Sequence, residues 1–283
     1  GAVSITTADV LMTGAATVTV NAASLITTNT LTFNGSGETG GTSLFNVTGG
    51  AAADTITGGA GNDIIDGGAG NNSLVGGAGS DSITGGAGND TITGGAGVDT
   101  LTGGAGNDTF VAASEADMSA DFINGGANTD ILSVTASAAL TAASLANINS
   151  IETITLTGAT SSVVLTDAVY TSNAANSGAT TLTVDGNALT NTLLVNASAL
   201  TGTNFVTAVM STATGKADSI YGGAGADIIQ VSGITAIETA TADSFIGNGG
   251  TDTIQLITTA GNVTVGFGAS TVTSIEALTV VGN

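Results

Sequence analysis

No histidine and no cysteine occur in the 283 residues, so imidazole bases, thiol nucleophiles, disulfides and Cys/His zinc sites are excluded. Proline and tryptophan are missing too, and two tyrosines with seven phenylalanines make up the whole aromatic content. Basic charge is almost as scarce. Lys216 stands alone against 22 acidic residues, for a net charge of −21. A chain without a basic patch has nothing to neutralise phosphates, which excludes nucleic acid as a partner and docking on anionic lipid through protein cations. No apolar run approaches the roughly 20 residues of a membrane span, so membrane insertion is not expected. The chain opens on Gly1 rather than methionine, as expected of a chain whose leader has been removed or of a fragment.

Glycine, by contrast, is plentiful at 44 residues, and the mean hydropathy is positive at +0.43. Short Thr/Val/Ile/Leu runs separated by Gly, Asn and Asp read as nearly all-β. From Gly49 to Val111 one nine-residue unit repeats seven times without a gap: GGAAADTIT, GGAGNDIID, GGAGNNSLV, GGAGSDSIT, GGAGNDTIT, GGAGVDTLT, GGAGNDTFV. A flexible glycine linker would need neither its apolar residue nor its aspartate in fixed phase.

In the copy Gly85–Thr93, glycines at the first, second and fourth positions permit backbone angles that a Cβ would forbid, and Asp90 closes the bend. Thr91, Ile92 and Thr93 are expected to form a very short strand, with Ile92 facing one way and the threonines the other. The apolar position holds Ile56, Ile65, Leu74, Ile83, Ile92, Leu101 and Phe110 in turn. One such strand buries almost nothing alone, so stability requires neighbours stacked on both sides.

The pattern GGxGxDxUx resembles the calcium-binding nonapeptide of RTX (hemolysin-type) repeat proteins. The resemblance implies a parallel β-roll, an RTX β-solenoid in which two nonapeptides make one right-handed turn. It also implies multiple Ca2+ ions, each held between bends two repeats apart on the same edge. Asp54, Asn72, Asp90 and Asp108 would line one edge, and Asp63, Asp81 and Asp99 the other. Main-chain oxygens around Gly59, Gly61, Gly77, Gly79, Gly86, Gly88, Gly95 and Gly97 would add ligands, since calcium takes six to eight oxygens. Asn72 leaves its two sites one charge short and is expected to weaken them. Without divalent ions, aspartates stacked about 5 Å apart would repel one another, so folding is expected to depend on calcium.

The phase continues beyond the block through Asp121 and Asp130, and a thinner set returns with Asp218, Asp227, Asp243 and Asp252, all candidate calcium ligands. Each set leads into a similar tail, NSIETITLTG from Asn149 and TSIEALTVVG from Thr273, with a third echo, TAIETAT, from Thr235. Glu152, Glu238 and Glu276 hold equivalent places there, expected to end a strand in solvent, with an ion site as the alternative. TLTVDGNALTN from Thr181 and TLLVNASALTG from Thr192 repeat at an offset of eleven. Additional β-helix-like rungs are the natural reading, with antiparallel hairpins the alternative. Five segments result: strands over 1–48, the main roll over 49–133, a β-rich, β-helix-like segment over 134–214, a degenerate second roll over 215–255 and a strand segment over 256–283.

Catalysis is not expected, because most aspartates belong to repeat bends and no histidine is available to pair with a nucleophile. The tandem GGAGNDTIT copies and the SIETITLTG segment are most similar to RTX surface-layer proteins of Gram-negative bacteria. That resemblance implies a secreted, extracellular protein of the bacterial cell surface that self-assembles into a lattice or filament. A cell-surface polysaccharide is a second candidate partner. RTX repeats also occur in adhesin stalks and in the C-terminal parts of type I secreted exoproteins, and both stay open as alternatives. Solenoid ends present unpaired backbone groups, and this chain lacks the proline and lysine that commonly blunt such edges.

Overall fold

The computed structural model describes residues 1–7, 16–40, 43–135, 139–158, 161–167, 181–189, 192–210, 217–232, 243–258 and 271–282. They form an all-β parallel roll. Contacts group the chain into two units, Gly1–Leu132 with Asn147–Ile151, and Ser133–Ala146 with Glu152–Asn283.

In the first unit successive strands go alternately to two sheets. One sheet stacks Val3–Thr6, Leu31–Asn34, Thr55–Thr57, Ser73–Ala78, Thr91–Ala96 and Thr109–Ala112. The other stacks Thr17–Asn21, Leu44–Thr48, Ile64–Asp66, Ser82–Ala87, Thr100–Ala105, Phe122–Ala127 and Ile148–Asn149. Partners in the repeat block are two nonapeptides apart, as in Leu74↔Ile92 and Ile83↔Leu101. That register puts the seven apolar repeat residues, Ile56 through Phe110, into the interior, where all are buried. Each such burial stabilises by about 1.5–3 kcal/mol.

From Ser73–Ala78 to Thr100–Ala105 the strands are longer than the three residues expected, whereas Thr55–Thr57 and Ile64–Asp66 have that length. Ser82–Ala87 and Thr91–Ala96 each run six residues, taking the first two glycines and the alanine of the next repeat into the ladder, so that Gly77 pairs with Gly95 and Ala78 with Ala96. The bend proper is therefore only three residues long. The reason is close approach: a Cβ on Gly77, whose φ is 122°, would collide with the carbonyl oxygen of Gly59 in the adjacent turn.

The segment between strands Thr109–Ala112 and Phe122–Ala127 contains a one-turn helix, Glu115–Met118. Ser114 caps it by accepting from Asp117 N at 3.3 Å, two acidic residues sit in its first turn, and Met118 is buried.

The second unit uses the same alternation with longer turns. One sheet contains Thr153–Leu156, Thr181–Asp185, Phe205–Val209, Ile228–Ser232, Thr253–Thr258 and Ala277–Gly282. The other contains Ala139–Leu140, Ser161–Thr166, Leu193–Ala199, Ser219–Tyr221, Ser244–Ile246 and Thr271–Thr273. Pairing is parallel, which settles the middle segment as rungs rather than hairpins. The eleven-residue offset marks a half-turn: Val184 pairs with Ala208 in one sheet, and Val195 pairs with Ile220 in the other.

Candidate metal centres

Every aspartate at the sixth repeat position is buried, between 0 and 4 % exposed, and so is Asn72. The backbone explains how carboxylates survive there. Each Oδ1 accepts the N–H of the equivalent residue one turn earlier. On one edge Leu31 N donates to Asp54 (2.6 Å), Asp54 N to Asn72 (2.8 Å), Asn72 N to Asp90 (2.7 Å), Asp90 N to Asp108 (2.8 Å) and Asp108 N to Asp130 (2.7 Å). On the other, Phe45 N donates to Asp63 (2.8 Å), Asp63 N to Asp81 (2.7 Å), Asp81 N to Asp99 (2.8 Å) and Asp99 N to Asp121 (2.8 Å). The second unit repeats the device. Leu193 N donates to Asp218 and Asp218 N to Asp243, while Val206 N donates to Asp227 and Asp227 N to Asp252. Every sixth-position candidate thus lies in one of these columns.

The second carboxylate oxygen decides the chemistry. Oδ2 of Asp81, Asp90, Asp99, Asp108 and Asp252 is buried with no hydrogen-bond partner. Each points at the first glycine of its own repeat, where a carbonyl from the next turn also converges. A Cβ at Gly76 would meet Asp81 Oδ2 and Gly94 O, and one at Gly85 would meet Asp90 Oδ2 and Gly103 O. Gly222 has the same neighbours in Asp227 Oδ2 and Gly247 O, although there Gly223 N donates to Oδ2 at 2.6 Å. Gly94 differs in that the three atoms nearest to such a Cβ all belong to Asp99.

Two oxygens facing one another in a dry cradle require either a proton or a cation. Burial pushes the Asp81 carboxyl up to about 7, against the lowering effect of the Asp63 N–H, with the Asp63 and Asp99 charges adding to the rise. Burial likewise pushes Asp90, Asp121 and Asp227 up to about 6, and raises Asp63, Asp99, Asp108, Asp243 and Asp252. Among the described residues no three carboxylates converge on one point. A bound ion would therefore take one or two carboxylates and otherwise main-chain oxygen, a hard donor set suited to calcium. The residues fit the ion, which when bound supplies the positive charge this chain lacks.

Asn72 fills its cradle differently. Its Nδ2 donates a long hydrogen bond to Gly85 O at 3.4 Å, so an amide hydrogen stands where other rungs oppose two oxygens. Of the glycines expected to contribute carbonyls, Gly77, Gly79, Gly86, Gly88, Gly95 and Gly97 have positive φ, whereas Gly59 and Gly61 do not. Gly59 O is engaged by Ala78 N at 2.9 Å. The carbonyls facing the carboxylates belong to first-position glycines, which the repeat pattern does not single out.

Two further features are not visible in the repeat pattern. Asparagines at the fifth position make an outer ladder, with Asn89 N donating to Asn71, Asn107 N to Asn89 and Thr129 N to Asn107. Glu276 is exposed, as expected, and its carboxylate also accepts from Asp252 N at 2.7 Å, which gives it the next place in that column. Glu152 is half-buried, and Glu238 with the TAIETAT echo lies outside the described residues. The tails do share a backbone signature, since Ser150 and Ser274 have φ of 52° and 54°.

Fold and sites together define a calcium-binding parallel β-roll. The family model described as the RTX calcium-binding nonapeptide repeat matches residues 46–74, 75–110 and 212–231. The chain thus carries RTX repeats, which bind several Ca2+ ions per roll. Proteins with such repeats are typically secreted, and among the described residues no helix is long and apolar enough to cross a membrane. Comparison with curated proteins and with solved structures gives no match.

Proposed function

We propose that this chain is a secreted structural protein that external calcium folds and stiffens, and that copies of it assemble outside the bacterial cell into a surface layer or filament. The observation that carries this reading is the set of buried carboxylate columns. A chain of net charge −21 whose only basic residue is Lys216 has no internal means of neutralising them. Millimolar extracellular calcium meets that requirement and cytosolic calcium does not. A structural rather than catalytic role fits carboxylates that are tied into main-chain ladders instead of being open to a substrate. Assembly is supported by apolar side chains left outside the rolls. Leu278 and Val280 on strand Ala277–Gly282 are 53 % and 56 % exposed, and Phe122 is 53 % exposed on strand Phe122–Ala127.

Circular dichroism and negative-stain electron microscopy with and without calcium test both halves. Chelation by EGTA at neutral pH is expected to lower the Tm of the cooperative β melt sharply, and millimolar calcium to give extended or sheet-like particles. An unchanged melt after chelation would remove the folding role, and monodisperse particles in calcium would remove assembly.

A further inference from the structure

We propose that Glu38, in a turn outside the nonapeptide repeats, completes an additional calcium site with Asp63 at the start of one aspartate column. Asp63 is the first acidic residue of its column, and the ladder position one turn earlier is Phe45, whose N–H holds Asp63 Oδ1 but whose side chain is apolar. A repeat-type site there would lack its second carboxylate. Glu38 brings one to the same place by another route.

Its side chain is only 2 % exposed, although it belongs to a turn rich in glycine and hydroxyl residues. Oε1 accepts from Gly40 N at 3.0 Å, while Oε2 is buried and has no partner. Glu38 also packs against the glycine that anchors Asp63. Gly59 N donates to Asp63 Oδ2 at 2.7 Å, and a Cβ on Gly59 would stand 3.1 Å from Gly35 O and 3.3 Å from Glu38 Cβ. Gly58 O lies close by, 2.8 Å from where a Gly35 Cβ would stand. The Glu38 charge is near enough to raise the Asp63 carboxyl further, beyond the effect of burial.

Two buried carboxylates on either side of Gly59, with the Gly35 and Gly58 carbonyls nearby, offer the oxygen donors that a hard divalent cation takes, Asp63 through lone pairs left beside its two N–H bonds. A buried carboxylate oxygen with nothing to accept is costly to keep as an anion, so the pocket is stable when a cation enters it. The ion would tie the non-repetitive turn at Gly35–Gly40 to the first acidic rung.

The inference rests on the calcium reading above, and native mass spectrometry of the full chain in calcium separates the two. Wild type should carry one more Ca2+ than Glu38→Gln, while Glu38→Gln keeps the remaining ions and its calcium-dependent melt. If Glu38→Gln does not fold, Glu38→Asp, with a shorter reach, should retain the fold and bind one ion about tenfold more weakly or worse. That weakening should appear in the calcium titration of the Gly40 amide resonance. Equal ion counts for wild type and Glu38→Gln, or an unshifted Gly40 titration in Glu38→Asp, would overturn this site and leave the repeat sites standing. Absence of any bound calcium in wild type would remove both.

Discussion

The backbone N–H of Asp63 donates to Oδ1 of Asp81 at 2.7 Å across eighteen residues, and Oδ2 of the same carboxylate is left buried and unmatched. One side chain therefore does two separable jobs. Oδ1 ties neighbouring turns together whether or not an ion is present. Oδ2 opposes the Gly94 carbonyl and favours an ion.

Asp81→Ala should lose both jobs, whereas Asn72→Ala should lose mainly the first. Each leaves a buried N–H without its acceptor, at about 1–3 kcal/mol. The calcium-induced rise in Tm should shrink markedly for Asp81→Ala and little for Asn72→Ala. Asn72→Asp should do the reverse, lowering Tm in chelator and raising it in calcium. Thermal melts of the three variants with and without calcium decide this, and identical calcium responses would contradict the assignment.

The pH dependence should change sign with calcium. Burial raises Asp81 to about 7 and Asp90, Asp121 and Asp227 to about 6, from an ordinary 3.8. The calcium-free fold holds these protons more tightly than the unfolded chain does. Their contribution is fully present below about pH 4 and is lost as pH rises through about 6 to 7. Calcium competes with the same protons, so its affinity should climb over that window. Melts taken from about pH 4 to about pH 8 in calcium-depleted buffer should therefore fall in Tm, while those in millimolar calcium should not.

Glycine positions should differ sharply in tolerance. Gly77 has φ of 122° and abuts Gly59 O, whereas Gly202 has φ of 69° and open space, with no atom within 4 Å of where a Cβ would stand. Gly202→Ala should cost roughly 1 kcal/mol of backbone strain. Gly77→Ala must in addition push two turns apart, and should abolish the cooperative melt of the first unit or lower its Tm by well over that of Gly202→Ala.

Glu276→Ala should leave Asp252 N without its acceptor, destabilising by about 1 kcal/mol. The loss should be local. Amide hydrogen exchange over strand Thr253–Thr258 should quicken, while strands Ser73–Ala78 and Thr91–Ala96 keep their protection. Unchanged exchange at Asp252 would show that Glu276 is not its partner.

What could be read in the sequence was whatever the nonapeptide states in fixed phase. Ile56 to Phe110 recur every nine residues, so their shared burial was legible from spacing, while the membership of Asp54 through Asp108 in edge columns was what the resemblance to RTX repeats implied. The six-residue strands were not, because Gly76 and Gly77 suggest a bend by type yet lie within strand Ser73–Ala78, where Gly77, for want of a Cβ, pairs with Gly95. Glu276 and Glu38 were hidden for a different reason. Their places depend on the path of turns without repeats: GSGET does not signal the buried carboxylate of Glu38, and the SIE triplet does not signal that the exposed Glu276 accepts from the Asp252 backbone. Ser150 and Ser274 would have been a clue only through their left-handed backbone, which serine does not advertise.

The alternation of strands between two sheets has a consequence for how such a chain can grow. Inserting one nonapeptide would send every downstream strand to the opposite sheet and every downstream carboxylate to the opposite edge, whereas a pair would restore both. Extra residues inside a turn carry no such penalty: Asp99 with Asp121, and Asp108 with Asp130, bridge 22 residues instead of 18 and stay in their columns. Parity of strand count, rather than residue count, is the quantity that tandem duplication in this chain must preserve.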